Sequence, residues 1–420
     1  MKNNLKIQQL FKIGIIGLGY VGLPLMHCFS KNKFKTIGFD NNKKIIESLN
    51  KLIDPNNQIT SNQIKEIKKN SIITYNHSLL NDVSIFILTV PTPIKKNNLP
   101  DLKNIYSALK TIIPYIKKDD HIILESTVYP GVTNKLANII EKKTKLVRNI
   151  DFFMGYSPER VNPGDPKNQV SNTNKIVASD SPKALKNIEK IYSSIIKAKV
   201  VCSNSIEEAE ASKLLENVQR DINIAVMNEF AMVLKLSNLS IFNVLRLAKT
   251  KWNFINFHPG FVGGHCIGVD PYYFSYFTRK NKLNSYLTDT ARKINEKFVK
   301  FFSEQIIKLY NDKFKNLKIL ILGLSFKPNI SDTRNSKIYD LCQNLNINNN
   351  SIFVFDPLVD QKTTNINFKL IKIPKKNYYD LILIAVSHKN FKSYKFLNLI
   401  KKEGKIFDLT NNFKQFKQII

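Results

Sequence analysis

Two hydrophobic rhythms run along the chain, and the change from one to the other divides it in three. Up to residue 204, short apolar runs are cut off by glycine, proline or aspartate. Lys12–Ile16 runs into glycines, Lys35–Phe39 ends at Asp40, and Val83–Val90 is stopped by Pro91-Thr92-Pro93. A run beginning at His121 is closed by Pro130 and Gly131. Runs of this length read as buried strands, and helical spacing between them predicts a parallel sheet wrapped by helices. From Ser205 the rhythm changes. Ser205 and Glu208 have capping-box spacing, and Leu214, Leu215, Val218, Ile222, Ala225, Val226 and Phe230 recur at helical intervals. Neither proline nor glycine interrupts the stretch to Leu236. A helix of about 30 residues exceeds the ordinary globular length, so it is predicted to bridge domains or subunits.

The strand rhythm then returns. "NLKILILGLSF", "SIFVFDPL", "YDLILIAVSH" and "KIFDLT" echo "FKIGIIGLGY", "TIGFDNN" and "VSIFILTV" in order. In each half a glycine-ended strand is followed by a strand ending in aspartate, Asp40 and then Asp356. The expectation is an internal repeat without close sequence identity: nucleotide-binding halves over 1–204 and 306–420, flanking a helical middle over 205–305.

Composition changes this picture little. At 420 residues, 43% of them hydrophobic, the chain is long enough for two or three cores. Its four cysteines, Cys28, Cys202, Cys266 and Cys342, have neither disulfide nor metal-ligand spacing, so free thiols in a reducing compartment and no metal are expected. The first apolar run is too short for a secretion signal or a membrane span, which points to a cytosolic protein. The net charge of +31 raises nucleic-acid binding. The lysines, however, are spread among asparagine and isoleucine, without a basic helix or an RNA-binding aromatic signature. Background composition explains the charge, and no specific nucleic-acid partner is expected.

Candidate chemistry begins at Gly17, Gly19 and Gly22, a G-x-G-x-x-G between a predicted strand and helix. The first glycine serves the tight turn, the second admits a pyrophosphate to the backbone, and the third lets helix pack on strand. Asp40 follows at the distance suited to the ribose hydroxyls of NAD, where a carboxylate disfavours the extra phosphate of NADP. Cys266 follows the glycine pair Gly263-Gly264, with Asp270 four residues on. A lone cysteine is usually a small buried hydrophobe. A glycine loop can instead present backbone N–H groups to an anion, and a nearby cation or helix terminus would favour the thiolate. Lys213 and Asn217, four apart on the predicted long helix, form either an ordinary surface pair or two members of a site on one face. Thr127 and Glu159 close strand-end loops, where α/β proteins place ligands and where turn-formers also occur for structural reasons.

Taken together, "GLGYVGLP", "VPTP", "ESTVYPG", "GYSPERVNPGD", "ASKLLENVQRDINIA", "TKWNF", "HPGFVGGHCIGVDPYYF" and "GLSFKPNISDTRNSK" resemble, in order, the motifs of the UDP-sugar (nucleotide-sugar) 6-dehydrogenase family, in its bacterial UDP-N-acetylhexosamine branch. The resemblance runs from Lys12 to about Thr410. It implies two Rossmann-like, doubly wound parallel-sheet domains joined by a long central helix that makes a homodimer. It also implies NAD-dependent, four-electron oxidation of a sugar C6 hydroxyl to a carboxylate. Cys266 matches the nucleophile that forms a thiohemiacetal and then a thioester. Lys213 and Asn217 match the groups that stabilise the oxyanion. Asp270 and Thr127 match residues that hold a water for proton transfer, and Glu159 the carboxylate that assists thioester hydrolysis. Thr92, Thr127 and Arg334 match cofactor-side positions, whereas Glu159, Lys213, Asn217, Gly263 and Lys327 match substrate-side ones.

His265, Ile267 and Val269 depart from the G-G-S-C-F-x-K-D pattern of UDP-glucose dehydrogenases. This favours an N-acetylated hexosamine, UDP-GlcNAc or UDP-GalNAc, with UDP-ManNAc and UDP-glucose as rivals. Where some relatives carry an arginine that reaches the neighbouring subunit's substrate, near Thr250, this chain offers Lys251 or His258. A non-catalytic sensor of NAD or UDP-sugars is the reading from a different class.

Overall fold

The glycine-ended run near the N-terminus forms β1 (Ile13–Ile16), and its turn leads straight into α1 (Gly22–Lys31). The chain continues through β2 (Thr36–Phe39), α2 (Lys43–Asn50), α3 (Ser61–Asn70), β3 (Ser71–Thr74), β4 (Ile85–Leu88) and α4 (Lys103–Ile112). It then forms β5 (Asp120–Leu124), α5 (Val132–Thr144), β6 (Phe152–Tyr156), β7 (Lys175–Ser179), α6 (Pro182–Ser193) and β8 (Val200–Cys202). This is a computed structural model, and it describes residues 11–161, 165, 168–359, 368–413, 415–416 and 419. The tail of the "GYSPERVNPGD" motif, residues 162–164, and the ends of the two outer expected segments therefore lie outside the described residues.

The eight strands form one sheet in the order β3-β2-β1-β4-β5-β6-β7-β8. All pairings are parallel except β6 with β7. Every residue of β1, β2, β4, β5 and β6 is buried. That is how strands covered by helices on both faces must read, and it explains their near-continuous apolar sequence. Ile13, Ile15, Ile85 and Ile87 pack with Phe29 of α1 and Tyr192 of α6 in this core.

The predicted long helix is α7 (Ile206–Leu236), 31 residues and therefore about 46 Å. The Ser205 hydroxyl caps it by accepting the Glu208 N–H at 3.1 Å. By internal contacts the chain separates into two compact units. One comprises the described residues up to Glu216 with Tyr272–Asn281, the other Asn217–Pro271 with the described residues from Lys282 onward. The second unit contains the rest of α7, then α8 (Ile241–Ala248), the start of α9 (Asp270–Lys280) and α10 (Tyr286–Lys308). Its sheet holds β9 (Lys318–Leu322), β10 (Ser351–Phe355), β11 (Lys369–Leu370), β12 (Tyr379–Ile384) and β13 (Ile400–Asp408), with α11 (Ile338–Leu345) between β9 and β10. The order β11-β10-β9-β12-β13, parallel throughout, repeats the first five strands of the larger sheet. Phe298, Phe302, Ile319, Ile321 and Leu341 sit in its core.

Candidate active site

In the first unit the expected ligand residues gather at the carboxyl ends of the strands, where open parallel sheets bind ligands. Gly17 ends β1 with φ of 100°, a left-handed conformation that glycine adopts without strain, and donates to Phe39 O at 2.8 Å. A Cβ at Gly22 would lie 1.9 Å from Gly17 O, so only glycine lets α1 start there. A Cβ at Gly19 would meet nothing within 4 Å: the backbone there faces open space, as a pyrophosphate cradle requires. At the end of β2, Asp40 is half-buried and accepts the N–H groups of Leu18 at 2.8 Å and Asn42 at 2.9 Å. These residues fit NAD: an open glycine turn on a helix N-terminus for the diphosphate, and a carboxylate for a ribose diol.

The next two strand ends are tied together. Ser126 Oγ donates to Val90 O at 2.6 Å, which joins the loop after β5, with Thr127, to the loop after β4, with Thr92. Past β6, Glu159 accepts the Val161 N–H on its own carboxylate, and its backbone carbonyl accepts the Lys213 ammonium.

Helix α7 is amphipathic in the reverse of the usual sense. Glu210, Lys213, Asn217, Asp221 and Asn228 share one face and are all buried. Each meets a polar partner. Glu210 accepts the N–H groups of Gly131 and Thr133 at the start of α5, at 2.6 and 2.9 Å. Asn217 Nδ2 donates to Asp270 Oδ2 at 2.6 Å, and Asp221 Oδ1 accepts from Arg292 Nη1 at 2.7 Å. Asn228 exchanges two hydrogen bonds with the backbone of Gly260. On the opposite face Leu215, Val226, Phe230 and Val233 are 40–67% exposed. The surface-pair reading of Lys213 and Asn217 is thereby excluded: both are 6% exposed.

In the second unit Cys266 is exposed in the turn that precedes α9, and its carbonyl accepts the Asp270 N–H at 2.9 Å. The turn that carries the cysteine thus leads directly into the N-terminus of α9. The loop leans on Asn335, whose backbone oxygen takes the Gly264 N–H at 3.2 Å and whose side chain donates to Gly264 O at 3.1 Å. A Cβ at Gly263 would lie 2.4 Å from Asn335 O. His265 sits 3.6 Å from Asp332; burial, then the Arg334 guanidinium, push its pKa down to about 4, so it is neutral near pH 7. Arg334 forms a fork-like pair with Asp332 at 2.9 and 2.8 Å.

A cavity of about 220 Å³ opens at the carboxyl end of β9, lined by Phe261, Gly263, Phe326, Lys327, Lys337 and Thr410 among others. It brings together Gly263 and Lys327, two of the five residues matched to the substrate side; Glu159, Lys213 and Asn217 do not line it. Lys327 rides a turn held from beneath: Ser325 Oγ donates to its carbonyl at 2.9 Å, and His388 Nδ1 accepts the Asn329 N–H at 3.0 Å. That acceptor role leaves the His388 proton on Nε2, which donates to Asp356 at 3.0 Å. Asn335, His388 and a buried Glu125–Lys175 pair escaped the sequence reading. For the pair, a charged residue within an otherwise apolar strand run ("HIILEST", "NKIVAS") is the available signal.

A glycine-turn dinucleotide site at the strand ends of one parallel sheet, a cavity at the strand ends of a second sheet and an exposed loop cysteine ahead of a helix are the features of a dinucleotide-dependent oxidoreductase. The chain belongs to the UDP-glucose/GDP-mannose dehydrogenase family: the family's NAD binding domain matches residues 11–196, its central domain 207–297 and its UDP binding domain 320–415. It is an NAD-dependent UDP-sugar dehydrogenase. Among similar proteins, the UDP-N-acetyl-D-glucosamine 6-dehydrogenase of Salmonella typhi is 39% identical, with 91% of each chain covered. That of Pseudomonas aeruginosa is 38% identical, with 94% of each covered. The solved structure of UDP-D-ManNAc dehydrogenase from Pyrococcus horikoshii superimposes with a TM-score of 0.85 at 29% identity, covering 97% of this chain and 96% of that one.

Proposed function

We propose that the chain oxidises the C6 hydroxyl of UDP-GlcNAc or UDP-GalNAc to a carboxylate, producing the acidic sugar nucleotide for a surface polysaccharide. The observation that carries this reading is the exposed Cys266 on its glycine loop, with Asp270 held by Asn217 one turn beyond. The names and identities of the relatives favour the glucosamine epimer over UDP-N-acetyl-D-mannosamine, whose named dehydrogenases match at 29–31%.

Bound NAD would accept two hydrides per sugar. The chain's own groups do the rest. A water held by Asp270 and Thr127 takes the C6 hydroxyl proton, and Cys266 Sγ adds to the aldehyde as a thiohemiacetal. Lys213 and Asn217 stabilise the oxyanion, whose charge is better met by fixed donors than by water. After the second oxidation, Glu159 directs water onto the thioester. Gly17, Gly19, Gly22, Asp40, Thr92 and Arg334 serve the cofactor, while Gly263 and Lys327 serve the uridine nucleotide. In this reading residues 1–204 hold NAD, 306–420 hold UDP, and 205–305 carry the cysteine loop and the dimer helix.

The occupant of the apolar face of α7 is a second copy of the chain. Val226, Phe230, Val233, Leu236 and Leu239, 40–70% exposed, continue past the helix end as a stripe of a kind that monomers seldom leave in water. Among the described residues no helix is long and apolar enough to cross a membrane.

Cys266→Ser tests the mechanism. The variant should bind NAD as the parent does and lose net acid formation by 100-fold or more, on the order of 3 kcal/mol of barrier. Unchanged turnover would remove the cysteine from the reaction.

A further inference from the structure

Where β6 ends, its antiparallel pairing with β7 ends as well, after Gly155 with Ser179 and Tyr156 with Ala178. The next carbonyls, at Ser157 and Pro158, have left the ladder and need other donors. Lys175 of β7 supplies them: its ammonium donates to Ser157 O at 3.3 Å, to Pro158 O at 3.2 Å and to Glu125 Oε2 at 2.8 Å. All three N–H bonds of the ammonium are thereby used. The Glu125 side chain is fully buried and that of Lys175 is 6% exposed. Tyr192 of α6 donates to the other Glu125 oxygen, and its ring lies 5.3 Å from the Lys175 nitrogen. Glu125 also begins the loop that carries Thr127, and its own N–H is fixed on Leu88 O at 2.9 Å. The following carbonyl, at Glu159, is taken by Lys213. Three successive carbonyls thus rest on two buried lysines, only one of which has a place in the chemistry.

We propose that Lys175, with Glu125 and Tyr192, is a positioning device for thioester hydrolysis, fixing the 157–159 loop so that the Glu159 carboxylate meets the attacking water. This rests on the roles of Glu159 and Cys266 given above. In the step concerned, the water oxygen bonds to C6 and the C6–Sγ bond breaks. Cys266 leaves as thiolate. One water proton passes to Glu159 and on to solvent, and the other leaves when the product acid ionises. A loop displaced by an ångström slows this step while leaving the earlier oxidations in place.

A neutral replacement avoids stranding a buried charge, so the test is Glu125→Gln/Lys175→Met, with Tyr192→Phe as a milder second variant and Glu159→Gln as reference. Affinities for NAD and UDP-GlcNAc are measured, together with the NADH burst, the steady-state rate and the intact mass of quenched enzyme. The double variant should keep both affinities and the burst, lose tenfold or more in steady-state kcat, and accumulate acyl-enzyme on Cys266. Tyr192→Phe should shift in the same direction by two- to fivefold, and it decides the matter if the double variant does not fold. A burst slowed in proportion to kcat, or an unchanged kcat, without accumulated acyl-enzyme, overturns the proposal. If Glu159→Gln itself accumulates no acyl-enzyme, the role of Glu159 fails first and the positioning role falls with it.

Discussion

In both sheets the first strand ends on a glycine at positive φ, and the hydrogen bonds that follow are the same. Gly17 and Gly323 donate to Phe39 O and Phe355 O, each at 2.8 Å. Leu18 and Leu324 donate to Oδ2 of Asp40 and Asp356, each at 2.8 Å, while Asn42 and Leu358 take the other oxygen, each at 2.9 Å. The halves part at the next residues. Gly19 and Gly22 correspond to Ser325 and Pro328, and the second turn does not run straight into a helix: α11 begins only at Ile338. Where the first turn has a helix N-terminus, the second has Lys327 lining its cavity.

The two aspartates diverge in the same way. Asp40 is half-buried, and among the described residues its carboxylate is bonded only by the N–H groups of Leu18 and Asn42. Asp356 is buried and bonded by His388 and by the N–H groups of Leu324, Ser325 and Leu358. Burial would push its carboxyl up, but those hydrogen bonds outweigh it and hold the group below its ordinary value. One repeated scaffold therefore leaves its aspartate half-buried in one half and, in the other, uses it to anchor the turn that carries Lys327.

Substitutions at matched positions should separate these roles. The largest effect is expected for Asp356→Ala, which strands His388 and several buried N–H groups. Denaturant unfolding should show a loss of about 3 kcal/mol or more, with the NAD affinity of the folded fraction unchanged. Asp40→Ala should do the reverse. Its stability should stay within about 1 kcal/mol, while the NAD Kd rises roughly 10–100-fold, or about 1.4–2.7 kcal/mol. Equal losses of NAD affinity in the two variants would erase the distinction. The smallest effect belongs to Gly19→Ala. Nothing lies within 4 Å of the added Cβ, so the fold should tolerate it, and isothermal titration should find NAD weakened by no more than about tenfold.

Strands with buried faces on both sides, such as β1 and β4, were legible because they are apolar throughout and a glycine or proline follows within three residues. The 31-residue helix was legible from its period. Its inversion was not: Leu214 and Leu215 look alike in sequence, yet one is 1% and the other 67% exposed. Which apolar stripe meets the core depends on tertiary packing, and here buried polar partners from distant segments claimed the other face. For the same reason Lys175 passed unnoticed, since its acceptors lie 17, 18 and 50 residues away. The motif glycines and Cys266 could be found because each imposes a local requirement. Residues that act by holding another loop, such as His388 and Asn335, carry no local signature.

The most direct measurement is the yield of NADH per sugar when purified protein meets limiting UDP-GlcNAc and excess NAD, with UDP-GalNAc, UDP-ManNAc and UDP-glucose run alongside. Two NADH per UDP-GlcNAc, with the other sugars turned over more slowly, is the predicted result. One NADH per sugar would mean an enzyme that stops at the aldehyde, and would contradict the thioester route through Cys266.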